Sequence, residues 1–210
     1  MITIRKPNDF HHHLREKELL VLTVKNCFDK FHYVTVMPNL QKPIITIKDA
    51  LKYRQDILKI NDQGCPLMTL YLHKDIPKED LLMFKEYPEM IGIKYYPKSA
   101  TTNSHHGVDG LESVFNILKI MEEKNIPLLV HGENISCHVD IFHREKIFLK
   151  NELTIIITKF PKLKIILEHI STKEAVDFVL EHDLYATITP HHILLDRNDI
   201  FRHGINPHLY

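Results

Sequence analysis

The sequence predicts an α/β fold built around a buried parallel sheet, and three observations support this prediction. Short apolar or β-branched runs alternate with longer segments of helical periodicity along the chain. These short runs are apolar nearly throughout, as is typical of strands buried on both faces. Apolar residues make up 44% of the 210 residues, which is enough for a sizeable core.

Seven strand-like runs follow one another, beginning near residues 4, 33, 67, 91, 127, 163 and 185. Three of them stop at a proline, namely Pro38, Pro97 and Pro190. Proline lacks the backbone N–H that a ladder needs, so it marks the end of a strand rather than its interior.

Helices are predicted between the strands, over residues 46–60, 78–87, 111–124, 140–159 and 172–182. Thr46 is the expected N-cap of the first of these, with Asp49 completing an approximate capping box. Thr172 is the expected N-cap of the last. In the segment 111–124, apolar residues recur every three or four positions.

Seven consecutive βα units predict a (β/α)8 TIM barrel that lacks about its last unit, as one incomplete domain over residues 1–210. The alternative is a doubly wound open sheet. Twenty-seven basic and 27 acidic residues balance, which argues against nucleic acid or an anionic membrane as a partner. With no apolar stretch of about 18 residues and no signal peptide, we expect a cytoplasmic protein.

The three cysteines are few and far apart, which indicates a reducing compartment rather than a disulfide framework. We interpret Cys27, Cys65 and Cys137 as buried apolar residues. The six glycines form no phosphate-binding loop, which argues against a glycine-loop nucleotide site.

Sixteen histidines are the most unusual feature of the composition. His11 and His13 share one face of a predicted strand end with Arg15, whereas His12 points to the other face. A His-x-His pair can place two imidazoles on one metal ion. The alternative is that three adjacent histidines form a polar loop.

Three further candidates lie at the ends of later strands. Lys94 lies near the end of the fourth strand, His131 ends the fifth and His169 ends the sixth. Barrel active sites form at the C-terminal ends of strands, so these side chains are expected in one ring. Taken alone, each of these residues is more simply interpreted as a structural histidine or a surface lysine. Together they predict a metal centre, because neutral imidazoles suit zinc. A desolvated lysine amine can also capture carbon dioxide as a carbamate that bridges two ions.

Nine segments resemble the bacterial-type dihydroorotases of the amidohydrolase superfamily, in order along the whole chain. They are residues 6–15, 36–40, 94–97, 101–104, 106–108, 128–133, 167–173, 186–190 and 207–210. Several of these motifs are specific to dihydroorotases rather than to the superfamily.

The resemblance implies two Zn²⁺ ions per site. His11 and His13 would bind the more buried ion, and His131 and His169 the more exposed one. Lys94, as N6-carboxylysine, would bridge the two ions.

The resemblance also implies the reaction, a reversible cyclisation of N-carbamoyl-L-aspartate to (S)-dihydroorotate in pyrimidine (UMP) biosynthesis. Arg15 and Asn39 would hold the substrate carboxylate, since an arginine fork suits a carboxylate. Thr101 would lie on the flexible loop that closes over the substrate. The sequence leaves a homodimer open.

One departure from the family concerns catalysis. The family's acid–base aspartate lies in a segment after the eighth strand, and no such segment precedes Tyr210. Asp196 and Asp199 stand in a different context, so no catalytic residue is assigned. We therefore expect a C-terminally truncated chain with weak activity or none. The alternatives are another cyclic amidase, such as a hydantoinase or allantoinase, and a non-catalytic dihydroorotase-like chain that binds a partner.

Overall fold

A computed structural model of the chain describes residues 3–206 and 208–209. Within these residues, seven strands form one parallel sheet in the order β1-β2-β3-β4-β5-β6-β7. Their bounds are β1 (Asp9–His12), β2 (Tyr33–Val36), β3 (Cys65–Tyr71), β4 (Met90–Tyr95), β5 (Leu128–His131), β6 (Ile165–Glu168) and β7 (Tyr185–Ala186). The first strand begins five residues later than predicted. In the motif 207–210, Pro207 and Tyr210 lie outside the described residues.

The strand order decides between the two predicted architectures. Each strand pairs in parallel with its neighbour in the sequence, as in the wall of a barrel. A doubly wound sheet would reverse its strand order at a switch point, which does not occur in residues 3–206. The TIM-barrel type is therefore confirmed. The wall is open in this part of the chain, because β1 pairs only with β2 and β7 only with β6.

Helices connect the strands along the described chain. They are α1 (Lys17–Lys30), α2 (Ile47–Ile60), α3 (Lys78–Met83), α4 (Phe115–Glu123), α5 (Arg144–Phe148), α6 (Thr154–Lys159), α7 (Lys173–Glu181), α8 (Pro190–Leu194) and α9 (Arg197–Phe201). Helix α1 and the short helices α8 and α9 were not predicted. The apolar pattern of α1 is blurred because Leu19, Val21 and Leu22 are exposed on it.

Both predicted N-caps are confirmed. The Thr46 hydroxyl accepts a hydrogen bond from the backbone N–H of Asp49 at 3.0 Å, and that of Thr172 accepts one from Ala175 at 3.1 Å. These bonds satisfy backbone donors that have no partner inside the first turn of a helix.

The predicted continuous helix over 140–159 is wrong in detail. A 3₁₀ turn spans Ile141–His143, and a π-helical turn over Leu149–Leu153 separates α5 from α6. The Thr154 hydroxyl donates to the carbonyl of Leu149, five residues back, at 2.8 Å. The predicted helix 78–87 likewise ends in a 3₁₀ turn, Phe84–Glu86.

The three free cysteines differ in burial. Cys27 is buried on α1, as predicted, and Cys65 is half-buried at the start of β3. The interpretation is wrong for Cys137, which is exposed in a polar turn that follows β5. None of the helices in the described ranges combines the length and the apolar character needed to cross a membrane.

Candidate metal centre

The predicted ligands meet at the C-terminal edge of the sheet. His11 lies in β1 and His13 directly follows that strand, whereas Lys94 is the last residue but one of β4. His131 ends β5 and His169 directly follows β6. Because all the strands are parallel, these ends lie on one side of the wall.

The four histidines form two facing pairs. Nε2 of His11 lies 3.1 Å from Nε2 of His13, and Nδ1 of His131 lies 3.2 Å from Nε2 of His169. The rings of His11 and His169 have centroids 5.0 Å apart, which brings the two pairs together. Two nitrogen ligands of one tetrahedral zinc ion are about 3.3 Å apart when each bond is about 2.0–2.1 Å. Each pair therefore has the spacing of ligands that share one ion.

Second contacts orient two of the rings. His13 Nδ1 faces Asn39 Oδ1 at 2.8 Å, and His131 Nε2 faces Glu133 Oε2 at 2.7 Å. His11 Nδ1 lies 3.0 Å from Glu168 Oε1, but the two atoms are not aligned for a hydrogen bond. An acceptor at one ring nitrogen holds the proton there and leaves the lone pair on the other nitrogen. In His13 and His131 the lone pair then lies on the nitrogen that faces the paired histidine.

The surroundings favour uncharged imidazoles. Burial lowers the pKa of His13 to about 3, and the positive charge of Arg15 adds to the shift. Burial also lowers the pKa of His131, and it holds that of His169 well below the usual range. A neutral imidazole is the form that binds a metal ion.

Lys94 and Glu168 form a buried ion pair beside the histidines. Both side chains are fully buried, and the Lys94 ammonium donates to Oε2 of Glu168. Burial lowers the pKa of Lys94 although the Glu168 carboxylate opposes the shift. Burial alone raises the pKa of Glu168, but Lys94 and His11 outweigh it and lower the pKa. In this environment the neutral amine of Lys94 forms more easily than in water.

Glu168 is a site residue that the sequence reasoning missed. It ends the apolar strand β6, and a carboxylate in a strand that is buried on both faces is unusual without a partner. That signal was available in the sequence. The identity of its partners, Lys94 and His11, was not, because they lie on other strands.

Arg15 lies beside the metal ligands with a free donor. Its Nη1 atom is buried and has no hydrogen-bond partner among the described residues. Its backbone has φ 63°, a left-handed conformation, and its carbonyl accepts from the Tyr53 hydroxyl at 2.6 Å. A buried cationic donor without a partner is costly, so the arrangement suits an anionic group of a ligand.

Asn39 connects the site to the loop 97–110. Besides its contact with His13, its side-chain amide donates to the carbonyl of Thr102 at 2.9 Å. Asn103 in turn donates to the Asn39 carbonyl at 3.1 Å. The loop therefore uses one of the two N–H donors of the Asn39 amide. Thr101 is exposed on the same loop, and its backbone N–H donates to Ser104 Oγ at 2.8 Å.

His169 has a strained backbone, with φ 43° in a region that favours glycine. Its N–H donates to the hydroxyl of Thr187, just after β7, at 2.9 Å. Strained residues persist where the surroundings hold them, and they concentrate at functional sites. Residues after β7 therefore help to position this candidate ligand.

Comparisons with known proteins agree with the geometry. A search found no matching family model. A dihydroorotase of Acinetobacter baumannii is 44% identical, over 100% of this chain and 62% of the relative. The chain spans 62% of the length of the curated relatives that it matches.

Solved structures point the same way. A dihydroorotase of Campylobacter jejuni has a TM-score of 0.84 and 36% identity, over 98% of this chain and 60% of that one. A dihydroorotase of Saccharomyces cerevisiae in complex with 5-fluoroorotic acid has a TM-score of 0.86 and 31% identity, over 92% and 58%. These relatives and these two solved structures are named dihydroorotases, and the predicted resemblance of this chain to dihydroorotases is confirmed along its whole length.

Proposed function

We propose that this chain carries the metal-binding and carboxylate-binding part of a dihydroorotase, in cytoplasmic pyrimidine (UMP) biosynthesis. The reaction is the reversible cyclisation of N-carbamoyl-L-aspartate to (S)-dihydroorotate. The observation that carries the proposal is the pair of facing histidine contacts, at 3.1 Å and 3.2 Å, beside the buried Lys94. The similarity to proteins named dihydroorotase supports it.

In this proposal His11 and His13 hold one zinc ion and His131 and His169 hold a second. When bound, the ions supply a Lewis acid and an activated water at neutral pH. Lys94 first has to lose a proton and leave Glu168, which its burial favours. The free amine could add to carbon dioxide with loss of one proton, and the carbamate would give Lys94 a carboxylate ligand for a metal ion.

Arg15 and Asn39 bind the carboxylate of the substrate in this proposal. The buried Nη1 of Arg15 has a free donor for it. The Asn39 amide donates one N–H to the carbonyl of Thr102 and has a second N–H for the substrate, so loop 97–110 and the substrate are linked through Asn39. The loop residue Thr101 then closes over the bound ring. We assign the acid–base role to no residue of this chain.

Ligand binding to the zinc-loaded chain tests the proposal, by calorimetry with dihydroorotate and with dihydrouracil, the same ring without the carboxylate. We expect at least two zinc ions per chain and clearly tighter binding of dihydroorotate. Arg15→Met should remove that preference and leave the zinc content unchanged.

The alternatives make different predictions in the same experiment. Equal binding of the two rings would contradict a carboxylate site and favour another cyclic amidase. A folded chain that binds no zinc would contradict the metal centre and favour a non-catalytic dihydroorotase-like chain.

A further inference from the structure

A second group of metal-ligating side chains lies apart from the ring described above. Asp9 and His12 belong to β1, and Cys27 lies in the last turn of α1. One ligand atom from each of the three lies within 4.8 Å of the other two. His12 Nδ1 and Asp9 Oδ2 are already in contact at 2.8 Å.

This group faces α1 and not the histidine pairs. His12 alternates with His11 and His13, so it points to the other face of β1. Asp9 reaches His12 on that face because the register of β1 shifts between Asp9 and His12. Its neighbour Cys27 lies on the buried face of α1. The site is therefore formed between β1 and the helix that covers it.

The burial of the three side chains suits a cation that enters from solvent. Cys27 is 2% exposed, whereas the side chains of His12 and Asp9 are 28% and 22% exposed. The sulfur thus forms the inner wall, and the imidazole and carboxylate form the rim. A water molecule can complete the coordination from the open side.

We propose that Asp9, His12 and Cys27 bind a divalent cation of the zinc type that ties β1 to α1. A thiolate, an imidazole and a carboxylate together select Zn²⁺ or Co²⁺ over Mg²⁺ and Ca²⁺, which prefer oxygen ligands alone. Ligand atoms on one tetrahedral zinc are about 3.3–3.8 Å apart, so atoms within 4.8 Å need only small side-chain rotations. On binding, the thiol releases its proton to solvent and the sulfur bonds to the ion.

The cation would have a structural role. β1 is a short strand that pairs with β2 alone in the described chain, and its register with β2 is irregular. A bond from β1 to α1 through the ion fixes this strand from its outer side. Because His11 and His13 lie at the end of the same strand, the tie also steadies that pair.

A cysteine, a histidine and an aspartate can also form a nucleophilic triad. A substrate could hardly reach the Cys27 sulfur, because the residue is 2% exposed and lies between β1 and α1. Burial and the nearby charge of Asp9 raise the pKa of Cys27 to about 12, so the thiol is a poor nucleophile by itself, and a bound cation has to displace its proton.

Cobalt spectroscopy of the metal-free 210-residue chain tests the proposal. Co²⁺ bound to a thiolate gives a charge-transfer band in the near ultraviolet, and the ring of Lys94 and the four histidines contains no sulfur. We expect the band in the unaltered chain and its loss in Cys27→Ser. The matched controls Cys65→Ser and Cys137→Ser should keep it.

Two further variants test the same site in case the Cys27→Ser protein does not fold. Asp9→Asn and His12→Phe should each weaken Co²⁺ binding at the band by about tenfold or more, with an unchanged circular dichroism spectrum. His131→Ala, which alters only the other centre, should leave the band in place. Absence of the band from the unaltered chain, or its persistence in folded Cys27→Ser, would overturn the proposal. Unchanged affinity in folded Asp9→Asn and His12→Phe would overturn it as well.

Discussion

The fourth and the seventh strands of the sheet have opposite surroundings. Five of the six residues of β4 are buried, whereas both residues of β7 are exposed. β4 has a neighbour on each side, but β7 pairs with β6 alone in the part of the chain that the structure describes. Both runs are predicted as buried strands from composition. The difference shows that burial of a strand depends on its neighbours and not on its own residues.

The two regions also differ in which residue types they bury. Lys94 and Glu168 lie on fully buried strand positions, where each charge depends on the other. Around β7, large apolar side chains are exposed: Tyr185 is 66% exposed and Ile188 is 55% exposed. The middle of the sheet therefore contains the groups whose removal should be most costly.

The largest effect is expected when one partner of the buried ion pair is removed. Glu168→Ala should lower the free energy of unfolding of the metal-free chain by about 3–5 kcal/mol, because Lys94 is left as a buried, unpaired charge. Urea denaturation measures the loss. The double variant Lys94→Met/Glu168→Leu should recover most of it, and a double variant as unstable as Glu168→Ala would contradict this explanation.

Replacement of an apolar strand residue by alanine should cost much more stability in β4 than in β7. Ile93→Ala in β4 should lower the free energy of unfolding by about 2–5 kcal/mol, since Ile93 is 0% exposed and leaves a cavity. Tyr185→Ala in β7 should change it by less than about 0.5 kcal/mol. Equal losses in urea denaturation would show that β7 is buried in solution.

The metal-free chain should lose stability as the pH falls. The pKa of His13 is lowered to about 3 by burial, whereas the unfolded chain takes up the proton near pH 6.5. The unfolded state then binds more protons between these values, so the free energy of unfolding falls from about pH 6.5 downwards. Urea midpoints at several pH values measure the slope. His13→Asn should flatten it, and His203→Asn, at an exposed position, serves as the control.

A small loss of stability is expected at a helix end. Thr46→Ala should lower the free energy of unfolding by about 1 kcal/mol, because the Asp49 N–H loses its acceptor. Thr46→Ser keeps the hydroxyl and should change stability little. Thermal denaturation of the three proteins checks the order, and an equal loss in both variants would assign the effect to packing of the methyl group.

The local features were predictable because each depends on a short stretch of sequence. The N-caps at Thr46 and Thr172 and the strand-end positions of His131 and His169 follow from residues within a few positions. Helix α1 was missed because its exposed leucines blur the periodicity. The π-helical turn at Leu149–Leu153 and the exposure of Cys137 have no local signal of that kind.

Sequence alone determined the succession of strands along the chain, but not their order in the sheet. It also determined which strand ends carry histidine, lysine and arginine, because proline stops and periodicity are properties of neighbouring residues. The tertiary structure decided which ring nitrogens face each other, that Glu168 pairs with Lys94, and that Cys27 meets Asp9 and His12. These contacts join residues on different strands and helices. Their distances depend on how the sheet curves and how the helices pack on it, which no single segment of the chain specifies.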